Sequence, residues 1–282
     1  MFVVIGAGTM GVGIAYVAAN AGYQVELVEV DPQRRVAARA ELERLWADAV
    51  ARGRLTDREA ADAGTRVGFA ETVTGGAEVV VEAVPERLDL KREVLAQAAA
   101  AGPGLLASNT SSIPISMLGE GLIGLHFFNP VWAMPLVEIV VGAGTPPGAV
   151  DVARAVAARL GKDPIVVRDQ PGFATSRLGV ALGLEAIRML EDGVAGAADI
   201  DKAMVLGYRH PVGPLELTDL VGLDVRLDIA RTLATAYGSR FAPPDLLVSL
   251  VEAGRLGRKT GHGFYRWVEG RRVSESDRPG SY

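Results

Sequence analysis

The sequence predicts an α/β protein in two parts. Residues 1–170 read as an N-terminal domain on a mostly parallel sheet, and residues 171–282 as an all-helical C-terminal domain. Three observations carry this. Up to about residue 168, short β-branched runs alternate with Ala-rich stretches of helical period, the pattern of a parallel sheet covered on both faces. After Asp169-Gln170-Pro171-Gly172 the alternation stops, and apolar residues recur at helical spacing to about residue 255. A glycine-rich motif joins the first strand to the first helix.

The elements follow in order. Phe2–Ile5 is strand-like. Met10, Ile14, Val17, Ala18 and Ala21 mark a helix over about 9–21, closed by Gly22. Gln24–Glu29 is the next strand, and Pro32 opens a longer helix at a first-turn position. Val79–Ala83, Leu105–Ala107, Ile123–Phe128, Leu136–Val141 and Ile165–Val167 complete the strands, with helices over about 88–101 and 147–160. In the second half, Leu178, Ala181, Leu182, Ile187 and Leu190 form one amphipathic face. Gly193, Gly207, Pro211-Val212-Gly213-Pro214 and Pro243-Pro244 punctuate further helices. The last fifteen or so residues, with Arg271-Arg272 and Ser274-Glu275-Ser276, read as a loose tail.

Composition excludes several classes. With 49% hydrophobic and 22% charged residues, the chain of 282 is globular rather than disordered. A net charge of −5 argues against a nucleic-acid partner, which needs a concentrated basic face. The absence of cysteine removes disulfides, thiolate metal sites and Cys nucleophiles together, and three histidines are too few for a His-rich metal centre, so no metal is expected. No run of about 18 apolar residues appears, and the chain starts directly in a strand without a basic leader. The expectation is a soluble, cytoplasmic protein with no membrane partner.

Gly6-Ala7-Gly8-Thr9-Met10-Gly11 is a Gly-x-Gly-x-x-Gly motif lying between a strand and a helix. Gly6 permits the tight turn, Gly8 lets the backbone approach a pyrophosphate, and Gly11 lets helix and strand pack closely. The helix N-terminus then faces the phosphates. Glu29 follows Gly11 by 18 residues, near the ~20 expected of a ribose-binding acid in a Rossmann-type domain. A carboxylate there favours NAD over NADP. Asp31 is an alternative ribose ligand, and Arg34-Arg35 an alternative phosphate contact.

Ser108-Asn109-Thr110-Ser111-Ser112 follows a strand, where small polar residues line a ligand crevice or cap a helix. Next come Leu125-His126-Phe127-Phe128-Asn129-Pro130 and Leu136-Val137-Glu138-Ile139-Val140. A turn between these strands can set imidazole and carboxylate side by side. Histidine suits proton removal near neutral pH, and a buried Glu138 requires a partner.

These blocks, with Val80-Val81-Glu82-Ala83-Val84-Pro85-Glu86, Pro171-Gly172-Phe173, Gly213-Pro214 and Lys259-Thr260-Gly261-His262-Gly263-Phe264-Tyr265, resemble the 3-hydroxyacyl-CoA dehydrogenase family over nearly the whole chain, as in 3-hydroxybutyryl-CoA dehydrogenases. The resemblance implies oxidation of an L-3-hydroxyacyl-CoA to the 3-oxoacyl-CoA with NAD, as in fatty-acid β-oxidation. It implies His126 as general base, Glu138 as its orienting acid, and Ser111 as a hydrogen-bond donor to substrate beside the nicotinamide. Glu86, Lys91, Asn109, Asn129 and Lys259 would help hold the cofactor, with Asn129 also near substrate. The helical half would form a homodimer interface and help cover the substrate.

One departure stands out. Where the family has Asn after Pro-Gly-Phe, this chain has Ser176 in a catalytic position, a shorter side chain with one donor in place of two. The family places coenzyme A near a helical hairpin after the second strand. Arg52 and Arg54 there, with Arg58, read either as phosphate ligands or as a solvated helix face. His210 and His262 read as non-catalytic. Two other functions compete: a dehydrogenase of small non-CoA hydroxy acids of the gulonate or carnitine type, and a non-catalytic NAD(H)-binding, crystallin-like protein. Retention of His126, Glu138 and Ser111 together argues against the latter.

Overall fold

The computed structural model describes residues 1–273. The chain divides after Phe173 into two compact units. The first contains β1 (Phe2–Ile5), α1 (Thr9–Asn20), β2 (Val25–Val28), α2 (Pro32–Ala51), α3 (Asp57–Thr65), β3 (Val67–Ala70) and β4 (Val79–Glu82). It continues with α4 (Leu88–Ala100), β5 (Leu105–Ser108), α5 (Ile115–Leu118), β6 (Ile123–Phe127), β7 (Leu136–Val141), α6 (Ala149–Arg159) and β8 (Asp163–Arg168). All eight strands form one sheet in the order β3-β2-β1-β4-β5-β6-β7-β8. The first six run parallel; β7 reverses against β6, and β8 runs parallel to β7.

The unbroken apolar runs have a simple cause: side chains alternate across a sheet that is buried on both faces. In β1, Phe2 and Val4 enter one core with Leu27, Val79, Val81, Leu125 and the apolar residues of α1, α2 and α6. Val3 and Ile5 enter the other with Val28, Val80, Leu106, Val140 and, from α4, Leu95 and Ala98. Strand order reverses between β1 and β4. In open α/β sheets, the carboxyl ends of strands at such a reversal form the ligand crevice.

The sequence reading gives no strand between residues 30 and 78, and the structure adds β3 there. Val67-Gly68-Phe69-Ala70 is a short edge strand, only partly buried and interrupted by glycine, so it lacks the apolar run that marks the central strands. The hairpin of α2 and α3 precedes it. Asp31 caps α2, and Thr56 with Glu59 closes a reciprocal capping box on α3.

The second unit contains α7 (Thr175–Glu191), α8 (Ala197–Tyr208), α9 (Pro214–Val221), α10 (Leu223–Tyr237) and α11 (Asp245–Glu252), followed by β9 (Trp267–Val268) and β10 (Arg271–Arg272). Its own core joins Val180, Leu184 and Ile187 of α7 to Leu227, Ala230 and Leu233 of α10 and Leu247 and Leu250 of α11. Two buried aspartates tie the unit together. Asp201 accepts the first N–H groups of α9, from Leu215 and Glu216, and the Tyr265 hydroxyl. Asp219 accepts from Phe264 N, Tyr265 N and Trp267 Nε1.

The expectation of a loose tail is corrected at its start. Arg271 and Arg272 pair antiparallel with Val268 and Trp267. Glu269 and Gly270 between them both have positive φ, 49° and 75°, which is the backbone of a tight primed hairpin turn. Arg272 is also anchored by Glu216 at 2.6 Å. Ser274, Glu275 and Ser276 lie outside the described residues.

Candidate active site

A cavity of about 850 Å³ opens at the carboxyl ends of β1, β2, β4 and β5. Gly6, Ala7, Gly8, Thr9, Met10, Glu29, Glu86, Lys91, Asn109, Ser111 and His126 all line it. Gly6 sits at φ +103°, and a Cβ there would lie 2.8 Å from Ala83 O. A Cβ on Gly11 would collide with Gly6 O, so that glycine lets α1 close onto the turn. Gly8 is different: its Cβ would meet no protein atom within 4 Å and would stand in the open space before α1. These features fit a dinucleotide diphosphate, with backbone N–H groups turned to it and room that a side chain would fill.

Glu29 directly follows β2 at the cavity wall. Its Oε2 accepts from Ala7 N at 3.2 Å and its Oε1 from Asp31 N at 3.1 Å. The alternative residues have these local partners. Asp31 is occupied as the cap of α2, accepting from Gln33 N and Arg34 N. Arg35 is held by the carbonyls of Glu29 and Val30 and by Glu71, whereas Arg34 lines the cavity.

His126 on β6 and Glu138 on β7 are direct cross-strand partners. Both are buried, and His126 Nδ1 lies 2.7 Å from Glu138 Oε2. An ionised carboxylate can only accept, so this contact assigns the Nδ1 proton to the imidazole. The ring packs against Phe128 and Phe173, with centroids at 4.6 and 5.6 Å.

Behind the cavity lies a polar network that the sequence reading quotes only in part. Lys91, on α4, has 1% of its surface exposed, and its ammonium meets Glu82 Oε1 at 2.7 Å, Val84 O at 3.1 Å and Glu86 Oε2 at 3.2 Å. Glu82 also accepts from Val84 N and from the Ser108 hydroxyl. Glu82 is the residue missed as a site member. A charged residue at the end of the apolar run Val79-Val80-Val81 was the available signal. The other oxygen of Glu86 accepts from the hydroxyls of Thr110 and Ser112 and from the N–H groups of Ser111, Ser112 and Ile113. Burial would raise the Glu86 pKa, but the Lys91 charge and these hydrogen bonds outweigh it and hold it at about 2. The Ser108–Ser112 block is thus a turn suspended from a carboxylate. Asn109 Oδ1 accepts from Phe127 N at 2.8 Å, locking that turn to β6.

Arg52 and Arg54 do not reach this cavity. They line a second one of about 540 Å³, with Arg44, Arg159, Lys162, Tyr16 and Trp132. Lys162 donates to Val131 O and, at 2.8 Å, to Met134 O, fixing the turn after Asn129-Pro130. Asn129 is exposed and does not line the first cavity. Arg58 is exposed on α3. In the helical unit, Ser176 stands in the first turn of α7, and Lys259 pairs with Asp224 at 2.6 Å. His210 and His262 also belong to that unit. No group of three or more potential metal ligands occurs among the described residues.

The comparisons with known proteins agree with this geometry. Residues 2–170 match the model of the 3-hydroxyacyl-CoA dehydrogenase NAD-binding domain, and residues 172–267 that of the family's C-terminal domain. The chain is 38% identical to a probable 3-hydroxybutyryl-CoA dehydrogenase of Bacillus subtilis, covering 94% of this chain and 96% of the relative. It is 40% identical to a 3-hydroxybutyryl-CoA dehydrogenase of Mycobacterium tuberculosis, covering 94% and 97%. The crystal structure of (S)-3-hydroxybutyryl-CoA dehydrogenase PaaH1 from Ralstonia eutropha superposes with a TM-score of 0.90 at 35% identity, covering 95% of this chain and 99% of that one. The two matched domains together span the glycine loop, the histidine–glutamate pair and the helical unit, and the chain belongs to the 3-hydroxyacyl-CoA dehydrogenase family.

Proposed function

We propose that this NAD-dependent 3-hydroxyacyl-CoA dehydrogenase oxidises L-3-hydroxyacyl-CoA, with short chains such as 3-hydroxybutyryl among its substrates, using His126 as general base. The observation that carries the reading is the 2.7 Å contact of His126 Nδ1 with Glu138, made by a ring that lines the same cavity as the glycine loop.

The 3-hydroxyl proton passes to His126 Nε2 as C3 is oxidised. Without that transfer a protonated ketone would have to form, and positioned bases of this kind contribute ~10²–10⁴-fold. Glu138 holds the ring's tautomer and offsets its charge once protonated. The Ser111 hydroxyl donates to the substrate oxygen, held in place by the Glu86-bound turn. NAD, held in the cavity, would supply the acceptor for the C3 hydride. The first turn of α1 receives its diphosphate, and Glu29 accepts from the ribose hydroxyls and repels a 2′-phosphate. Lys91 acts on the cofactor side by fixing Glu86.

The arginine-lined second cavity supports a CoA thioester over a free hydroxy acid. Arg52 and Arg54, with Arg44 and Arg159, offer a cluster suited to nucleotide phosphates. Ser176, Asn129 and Lys259 keep the substrate and cofactor roles implied by the family. The exposed apolar residues Leu178 and Leu206, each 70% exposed, and Tyr208 support a homodimer through the helical unit. No helix among the described residues is long and apolar enough to cross a membrane. A cytoplasmic role in fatty-acid β-oxidation completes the reading.

The test follows NADH absorbance with 3-hydroxybutyryl-CoA, free 3-hydroxybutyrate, gulonate and carnitine. Turnover of the thioester well above the free acids is expected; preference for a free acid would overturn the CoA assignment. His126→Gln should lose ~10²–10⁴-fold in kcat while still binding NAD. Retained kcat in that variant would remove His126 as the base.

A further inference from the structure

Asp169 caps a helix to which it does not belong. α5 begins after Pro114, whose side chain offers no hydrogen bond to the first N–H groups of the helix. Asp169 supplies the cap from the far end of β8: its Oδ1 accepts from Ile115 N at 2.8 Å and its Oδ2 from Ser116 N at 2.9 Å. Its own backbone continues the pairing of β8 with β7, Asp169 N donating to Val141 O at 2.9 Å. β7 is the strand that carries Glu138. One residue thus joins the strand of the histidine–glutamate pair to the chain that leads out of the serine turn.

The Ser111 hydroxyl needs such a support. It makes no hydrogen bond of its own among the described residues, so its position is set by the backbone beneath it. Asn109 fixes that block at its start, and Glu86 fixes its middle through the N–H groups of Ser111, Ser112 and Ile113. Asp169 fixes its end. The other end of α5 is held separately, by Arg92 Nε donating to Met117 O at 2.7 Å.

The segment that carries Asp169 also reaches the histidine. Gln170-Pro171-Gly172-Phe173 closes a turn, with Phe173 N donating to Gln170 O and Gly172 at φ +77°. Phe173 itself stands at φ +46°, a conformation costly for a bulky residue and kept only where the surrounding packing enforces it. That packing includes the His126 ring, with centroids 5.6 Å apart, and the core that contains Ile115 and Leu118 of α5.

We propose that Asp169 is a positioning residue for the oxidation, one that sets the distance between the Ser111 hydroxyl and the His126 ring by tying α5 to β7. This rests on the reading above that both groups meet the substrate's 3-hydroxyl oxygen. Two groups that converge on one oxygen tolerate little error, since a displacement of about 1 Å can cost ~10²-fold in rate. Asp169 does not line the cavity and acts through Ser111.

The test is a double-mutant cycle on kcat with 3-hydroxybutyryl-CoA and NAD. It uses Asp169→Ala, Ser111→Ala and the double variant, each assayed well below its melting temperature. Asp169→Ala should lower kcat by roughly 10–100-fold. Its affinity for NAD, read by calorimetry, should be unchanged, because the glycine loop and Glu86 stay in place. Asp169→Asn keeps one accepting oxygen and should fall between Asp169→Ala and the wild type. It replaces Asp169→Ala in the cycle if that variant does not fold. In the Ser111→Ala background, loss of Asp169 should cost less than about threefold more, since the two residues act as one unit. A merely structural role would move Tm alone, or lower kcat equally in both backgrounds, and either result would overturn the proposal. If Ser111→Ala keeps the wild-type kcat, the serine reading fails and takes this proposal with it. A lowered kcat in Ser111→Ala beside a wild-type kcat in Asp169→Ala overturns the proposal alone.

Discussion

Lys91 and Glu82 form an ion pair of 2.7 Å between two side chains that are each almost wholly withdrawn from water. The lysine serves two carboxylates, since Glu86 approaches from the other side at 3.2 Å. Removing it strands both. Lys91→Met is expected to destabilise the folded protein by about 3–5 kcal/mol, the usual cost of breaking a buried pair by deleting one partner. Urea denaturation of the apoprotein measures this, and a shift under 1 kcal/mol, on the order of an exposed pair, would show the network to be unimportant for folding.

The acid limit of stability should lie with Glu86. Its folded-state pKa, about 2, is below the unfolded carboxylate value. The folded state therefore holds fewer protons, and the stabilisation is complete above about pH 4.3 and lost as pH falls towards 2. Glu86→Gln should lose part of the acid-dependent fall in Tm over that window while also lowering stability at neutral pH. An unchanged acid profile would contradict the electrostatic account of the Ser111 turn.

Two glycines of one motif should fail in opposite ways. Gly8→Val adds a side chain in open space, so the apoprotein should melt at nearly the wild-type temperature while NAD binding weakens severely. Gly11→Val drives a side chain into Gly6 O and should lower the melting temperature itself. Calorimetry with and without NAD separates the two outcomes. Unimpaired NAD binding by Gly8→Val would mean that the diphosphate does not rest on this loop.

Recognition of the CoA nucleotide predicts a split in the kinetics. Arg52→Ser and Arg54→Ser should raise KM for 3-hydroxybutyryl-CoA with little change in kcat, because the phosphates bind equally in ground and transition states. The corresponding pantetheine thioester, which lacks the nucleotide, should be insensitive to both substitutions. Equal losses for both substrates would move the nucleotide away from the second cavity.

The central sheet was readable because its strands are apolar on both faces, and the glycine loop because three glycines have distinct steric tasks. His126 and Glu138 were readable as a pair because two strands and one connecting turn leave few other arrangements. Edge strand β3 escaped because partial exposure and Gly68 weaken its pattern. Glu82 escaped as a site member because its partners, Lys91 and Ser108, come from different elements and meet it only after the sheet forms.

The antiparallel turn of β7 has a consequence for how this protein can change. His126 faces Glu138 through ladder register, so this pair is defended by backbone pairing and not by the loop that joins the strands. A one-residue slip of β7 would carry the glutamate to the opposite side of the sheet, whereas insertions between Phe128 and Pro135 leave the ladder intact. The histidine–glutamate pair and the loop that joins its strands thereby sit in separately mutable parts of the chain.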